Sequence, residues 1–467
     1  MQDFQAVLSE KDFFFATTFA LAALVVLAPP SRAEEDNTKH VLDESIASNW
    51  PEGIADPGNA RARLSASGIQ YGATYISEAF GNAAGGIGHG RHFHGLLDIW
   101  TDIDLSRLTG WQGLSFHANA YRFDGTSITL ESVGTIAAVS HIEATPETRL
   151  FEAWFEQSLF NGRASLRFGQ LAADAEFATL DSSATFISST FGWNTLMTDN
   201  LPNGGPIYPL ATPGVRLAIK ASEGLTAMIA LYNGDPVGPC DGDPQKCNKH
   251  GMDFRVSDPP LVMAEVAYDH TVGLPGTIKL GGWRSFETFD DQRFDTEGSS
   301  LADPVSNGEP RHYDENYGIY AVIYQMLYRV PETSNKGVHV FARVAGSPSD
   351  RNQIDFYAEG GLTFAGLFSN RPDDSLGIGI AYSHISNNAA NLDRDSRGFN
   401  GEAVAIRNYE LLLELSYKAQ ILPGWTLQPD FQYYWNPGGN GVDMSDPTDP
   451  RGIPNTTILG LRTTVSY

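Results

Sequence analysis

The feature that most constrains this chain is a two-residue rhythm that returns sixteen times after residue 67. Apolar and polar side chains alternate over roughly 68–80, 94–107, 111–123, 149–160, 163–172, 212–221, 224–232, 261–271, 276–287, 315–328, 337–346, 354–365, 376–385, 407–420, 425–435 and 456–467. A period of two belongs to a β-strand whose faces meet different surroundings. The last stretch, Thr456–Tyr467, shows what this demands. Leu459, Leu461 and Val465 lie on one face with Thr457, Thr463 and Tyr467, and Ile458, Gly460, Arg462 and Ser466 lie on the other. The apolar face needs an apolar solvent, and the backbone needs a partner on each side. A closed barrel in lipid supplies both, because in lipid every backbone polar group must be satisfied within the protein.

The connections alternate too. Long ones span 81–93, 124–148, 173–211, 233–260, 288–314, 386–406 and 436–455, with 347–353 the short exception. Most of those between are tight: LTG at 108–110, Asn161-Gly162, Ser222-Glu223, VGLP at 272–275 and LPG at 422–424; the links at 329–336 and 366–375 are looser. Outer-membrane barrels place short turns on the periplasmic side and long loops outside. The expected fold is therefore an all-β transmembrane antiparallel β-barrel of about 16 strands over 68–467, wide enough for an aqueous channel. The loop 173–211 is too long for a hairpin connection and is the expected pore-constricting element. It carries Phe186, Phe191, Trp193 and Tyr208 beside Asp174, Glu176, Asp181 and Asp199.

Composition narrows the partners. The formal net charge is −25. Residues 1–33 hold Lys11 and Arg32 against Asp3, Glu10 and Asp12, a balance of −1, so their removal leaves −24. Nucleic acid is excluded as a partner, since phosphates demand cationic surface. The only long apolar run, Phe13–Pro30, follows Lys11 and precedes Ser31–Ala33. It reads as a secretory signal peptide over 1–33, cleaved after Ala33, in preference to a helical membrane anchor. Residues 34–67 are acidic, then helix-tolerant, and are expected to form a periplasmic or pore-entering segment. The two cysteines, Cys240 and Cys247, flank a Gly/Pro/Asp-rich loop. A disulfide in an oxidising compartment is preferred there to a two-thiol metal site.

Strand parity selects inward-facing charges. On 94–107, Asp98, Trp100, Asp102 and Asp104 oppose Leu97, Ile99, Ile103 and Leu105. Charges on the inner face would wreck a soluble core but cost little on a water-filled lumen. The same parity gives Glu152, Glu156, Arg167, Arg216, Glu265, Arg343, Glu410, Glu414 and Arg462 as pore-lining candidates, joined by Asp181 and Trp193 from the long loop. Arginines are expected to face acidic loop residues across the constriction.

Ordered motifs then resemble a known family, the OprB-type carbohydrate-selective porins of Gram-negative outer membranes. They are Leu64–Tyr71 (LSASGIQY); Asn82, Gly85 and Gly86; Asp104-Leu105, Leu108, Gly110-Trp111 and Gly113; Ala153-Trp154 with Gln157–Phe160; Leu166–Gln170 (LRFGQ); Pro213–Arg216; Tyr232–Pro236 (YNGDP); and Pro429 with the aromatic strand FQYYWNPGG. The resemblance implies passive diffusion of small carbohydrates through a barrel with a polar constriction, in an outer-membrane lipid bilayer. It also implies that the assembly machinery reads the C-terminal strand ending in Tyr467. A monomer and a homotrimer are both compatible with it. The acidic total departs from the cationic constrictions of anion-selective porins and favours neutral or cationic solutes, so a general or cation-preferring porin is the alternative.

Catalysis finds little support. The chain has no G-x-S-x-G or H-E-x-x-H, and no cofactor is expected. An outer-membrane hydrolase and a soluble sugar-binding sandwich remain as weaker rivals. His89, His92 and His94 could suit a metal, but a polar loop entering the second strand is the plainer reading. Asp443, Asp446 and Asp449 could hold Ca²⁺ but read more simply as an acidic surface loop. No metal site is expected.

Overall fold

A computed structural model describes residues 45–467 apart from 272, 334, 402–404 and 444–450. The signal peptide expected over 1–33, residues 34–44, and Asp446 and Asp449 lie outside the described residues. Sixteen strands close into one antiparallel barrel, each hydrogen-bonded to its neighbours in chain order, with the last returning to the first. They are β1 (Ile69–Ala84), β2 (Arg91–Asp104), β3 (Leu114–Gly125), β4 (Thr148–Leu159), β5 (Ala164–Leu171), β6 (Thr212–Ser222), β7 (Leu225–Asn233) and β8 (Pro260–His270). The second half is β9 (Gly276–Ser285), β10 (Asn316–Arg329), β11 (Gly337–Gly346), β12 (Ile354–Ala365), β13 (Ser375–Ile385), β14 (Tyr409–Leu422), β15 (Trp425–Trp435) and β16 (Thr456–Ser466). β16 is held by β15 on one side and β1 on the other, with Arg462 opposite both Gln428 and Glu78. Every alternating segment of the sequence is a barrel strand.

The boundaries shift where local chemistry intervenes. β2 stops at Asp104, short of the 107 expected from the sequence. The Asp104 carboxylate accepts from Ser106 N at 2.9 Å and starts a short helix, Leu105–Thr109, which ends at Gly110 with φ 78°. An aspartate cap followed by a left-handed glycine makes helix the better local solution. Two elements inside long loops left no strong periodic signal. These are a hairpin of Phe289–Asp295 with Pro310–Tyr313 and a helix, Asn387–Asn400, capped by Ser386.

The barrel is apolar outside. On β10, Tyr317 and Tyr328 stand at the two ends, and Ile319, Ile323 and Leu327 are exposed between them. This is an apolar band with aromatic ends, as a lipid-facing wall requires. Among the described residues no helix is long and apolar enough to cross a membrane.

The main packed core lies inside the barrel. Phe177, Phe186, Phe191, Leu196 and Met197 of the 173–211 loop are buried against Tyr232, Trp283, Tyr320, Phe341, Tyr357 and Tyr434 of the wall. Two glycines on β13 make room for this. A Cβ on Gly377 would stand 2.9 Å from the Phe186 ring, and one on Gly379 would stand 2.7 Å from Phe191. The loop 126–147 folds inward as well, burying Ile128, Val133 and Val139.

At the short-turn end, the helix Ala60–Ala66 lies across the closing seam. The Arg61 guanidinium sits 4.8 Å from the Tyr467 ring centroid, Trp50 lies 6.4 Å from the same ring, and Asn49 Nδ2 donates to Pro423 O at 2.9 Å. Cys240 and Cys247 form a disulfide with Cα atoms 6.2 Å apart.

Candidate functional site

All eleven wall charges singled out by parity point inward. Their surroundings are not those of a simple wet wall. Seven of them (Glu152, Arg216, Glu265, Arg343, Glu410, Glu414 and Arg462) are more than nine-tenths buried. They are sealed beneath the two inward loops; five of them hold loop backbone groups, and Arg216 and Arg462 hold loop side chains. Glu410 accepts from Ile136 N, Ala137 N and Gly438 N at 2.8, 2.9 and 2.8 Å. Glu414 accepts from Ile187 N at 2.5 Å and Ser188 N at 3.1 Å. Glu265 accepts from Ala178 N and Tyr320 Oη, and Glu152 accepts from Ala172 N. Arg343 donates to the carbonyls of Ala178, Gly192 and Thr190 at 2.8, 3.0 and 2.6 Å. A loop inside a barrel carries backbone groups that have lost water and need partners, and wall carboxylates and guanidinium groups supply them.

The expected electrostatic split takes a different form. The loop acid Glu176 does not face arginines across water but sits on them. Arg216 donates to Glu176 at 2.6 and 2.9 Å and to Glu156 at 2.8 Å, and Arg167 bridges Glu156 at 2.7 Å and Glu176 at 3.1 Å. The Arg167 guanidinium also lies 3.7 Å over the Trp154 ring. Asp102 is exposed beside His117, at 2.7 Å, and Asp98 is half-buried against Asn119. Asp181 is exposed at the start of a 3₁₀ turn. Trp193 is buried at the edge of the cavity described below.

Parity alone did not single out several members of the site. Glu78 shares its carboxylate between Arg462, at 2.6 Å, and His94, at 3.0 Å. Its place opposite Arg462 comes from the register of the closing strand, which the sequence alone does not give. Arg462 also reaches Ser140 at 3.3 Å, tying the 126–147 loop to the same seam. His92 contacts Thr126 and Ser132 at 2.9 and 2.8 Å. Among the described residues no cluster of His, Cys, Asp and Glu is arranged to hold a metal.

Between the loops and the wall of β3 and β4 lies a cavity of about 620 Å³. Tyr121, Phe151 and Tyr208 form one side, with ring centroids 5.0 Å (Tyr121–Phe151) and 5.6 Å (Tyr121–Tyr208) apart. Glu143, Glu152, Asp174 and Asp243 supply carboxylates, and no Lys or Arg is among the lining residues. His141 also lines it; burial, with Arg462 beside it, pushes its imidazole down to about 3, so it is neutral. Burial pushes the Asp174 carboxyl up to about 7.

A closed sixteen-stranded barrel with an apolar belt and polar, loop-narrowed interior defines an outer-membrane diffusion channel. Comparison with known proteins makes this specific. Residues 93–467 match the carbohydrate-selective porin OprB family, and the chain belongs to it. It is an outer-membrane carbohydrate porin. Porin B of Pseudomonas aeruginosa is 23% identical over 439 residues, 89% of this chain and 93% of that protein. A putative porin, QuiX, of Acinetobacter baylyi is 21% identical over 409 residues, 83% of this chain and 88% of its own. The high-pH structure of Pseudomonas putida OprB shares the fold with a TM-score of 0.78 at 21% identity, covering 88% of this chain and 97% of that one.

Proposed function

We propose that small carbohydrates diffuse passively past the inward loops, and that the wall charges serve this path in two groups. Asp98, Asp102, Glu156 and Arg167 keep contact with water and exchange hydrogen bonds with sugar hydroxyls. Glu265, Arg343, Glu410, Glu414 and Arg462 act indirectly by holding the loops that set the width. Asp181 and Trp193 place a charge and an aromatic edge on the loop itself. The observation that carries this reading is the 173–211 loop, pinned to the wall inside the barrel and leaving a cavity with both aromatic faces and carboxylates. Aromatic faces suit the apolar side of a sugar ring and carboxylates suit its hydroxyls. Weak, multiple contacts let a solute enter and leave. The chain moves solute without covalent chemistry.

Residues 34–67 form a periplasmic segment in this reading, following a signal peptide over 1–33. Lipid surrounds the apolar belt, and the assembly machinery reads the strand that ends in Tyr467. The protomer works as a monomer or within a homotrimer. Purified protein in planar bilayers is expected to form open channels whose current falls as glucose is titrated, and liposomes carrying it are expected to swell in glucose. Closed or absent channels would overturn the proposal.

A further inference from the structure

We infer that the loop-lined cavity prefers sugars bearing a protonated amine over neutral sugars of the same size. The inference rests on the reading that this cavity lies on the permeation path. Four carboxylates line the cavity, but two are already committed. Glu143 accepts from Ser127, Thr129 N and the Thr129 hydroxyl. Asp243 accepts from the Thr145 hydroxyl and Gln245 N. The other two each keep one oxygen without a partner. Asp174 accepts from Tyr208 N through Oδ2 at 3.1 Å, and its Oδ1 has no partner. Glu152, more than nine-tenths buried, accepts from Ala172 N through Oε1 at 3.0 Å, and no described residue donates to its Oε2. The hydroxyl of Tyr208, another lining residue, also has no partner.

Open carboxylate oxygens in a cavity without Lys or Arg make a site for a cation that brings several hydrogen-bond donors. An ammonium has three and no acceptor. Carried on a sugar ring, it arrives with an apolar face that fits the Tyr121, Phe151 and Tyr208 rings, and those rings attract a cation in their own right. A neutral sugar donates to the same oxygens without neutralising them. A sugar acid meets repulsion.

The test is current blockade in planar bilayers at neutral pH, with glucose, glucosamine and the neutral N-acetylglucosamine as blockers. Glucosamine is expected to half-block at a concentration roughly two- to fivefold below glucose, as one partly solvated charge pair provides. N-acetylglucosamine should show no such preference. Glu152→Gln and Asp174→Asn each retain an oxygen for the loop amide they serve, and each should bring the ratio toward one. Raising KCl from about 0.1 M to about 1 M shortens the screening length from about 10 Å to about 3 Å and should shrink the preference without any mutation. Equal blockade by glucose and glucosamine in the natural protein would overturn this inference and leave the porin reading standing. A preference that survives both substitutions would remove it from this cavity. Absence of blockade by any sugar would instead overturn the permeation reading.

Discussion

Arg343 offers the sharpest test of how the channel is narrowed. It is fully buried on β11 and donates to three carbonyls of the 173–211 loop, at residues 178, 190 and 192. It also pairs with Glu359 on β12 at 3.0 Å, with both side chains at 0% exposure. Arg343→Met keeps most of the volume while removing every donor. The loop carbonyls lose their partners, and Glu359 is left as an uncompensated buried acid. Removing one partner of a buried pair costs about 3–5 kcal/mol. At about 1.4 kcal/mol per decade, the ratio of docked to undocked loop falls by roughly two to three and a half orders of magnitude. The barrel's own ladder does not depend on Arg343, so the loss falls on the loop.

Single-channel recording should therefore show larger and noisier conductance in Arg343→Met. Limited proteolysis should open new cleavage within 173–211. Adding Glu359→Gln separates two origins of the effect. The double variant no longer strands a charge and should recover much of the heat resistance seen on a gel, while its conductance stays high because the carbonyls still lack donors. Wild-type conductance and protease resistance in Arg343→Met would refute the claim that this residue holds the loop.

Other perturbations probe the same design. Gly379→Val places a side chain where only 2.7 Å separates a Cβ from Phe191; the ring should be expelled and the channel widened, read as increased conductance. Glu410→Leu strands the amides of Ile136, Ala137 and Gly438, at about 1–3 kcal/mol for each unpaired group, and their hydrogen exchange should accelerate. Burial raises Asp174 to about 7 and Asp199 to about 6, with Arg407 opposing the rise at Asp199. Both therefore bind more protons in the docked loop than in a free one, whose aspartates titrate near 3.9. Docking should strengthen as pH falls through 7 toward 4, slowing proteolysis of the loop; faster proteolysis in acid would contradict this. Deleting Tyr467 should lower the yield of membrane-assembled barrel, measured by the gel shift on boiling, whereas Arg61→Ala should assemble and lose only heat resistance.

What could be read from the sequence was whatever alternates. β2 and β14 declare their inner faces through Asp98, Asp102, Glu410 and Glu414, because a two-residue period ties identity to face. Parity says which way Arg343 points but not what it meets. Water or protein on the far side is decided by a loop about 150 residues earlier in the chain (Ala178 to Arg343 is a separation of 165 residues). The helix Asn387–Asn400 is mostly polar, with Ala389, Ala390, Leu392 and Phe399 its few apolar positions, and its sequence does not read as a strong stripe. The inward course of 126–147 was equally hidden, since its anchors, Glu410 and Gln432, lie on distant strands. The partnership of Glu78 with Arg462 needed the closing register, which exists only once the ends of the barrel meet.

That distinction changes what the acidic composition means. A sixteen-stranded wall is too wide for its own side chains to fill, so loops must narrow it. A loop brought inside has amides and carbonyls that have lost water, and each needs a partner or costs free energy. Carboxylates meet the amides best, because each can accept several hydrogen bonds, as Glu410 does from three amides and Glu414 from two. Much of the inward-facing negative charge is therefore spent on architecture and is hidden from solute. The net charge of the chain then predicts selectivity poorly. In the proposal above, the preference of the loop-lined cavity follows instead from its own uncommitted oxygens, Asp174 Oδ1 and Glu152 Oε2, which is why the two substitutions at those residues, rather than the removal of acids at large, should shift which sugars pass.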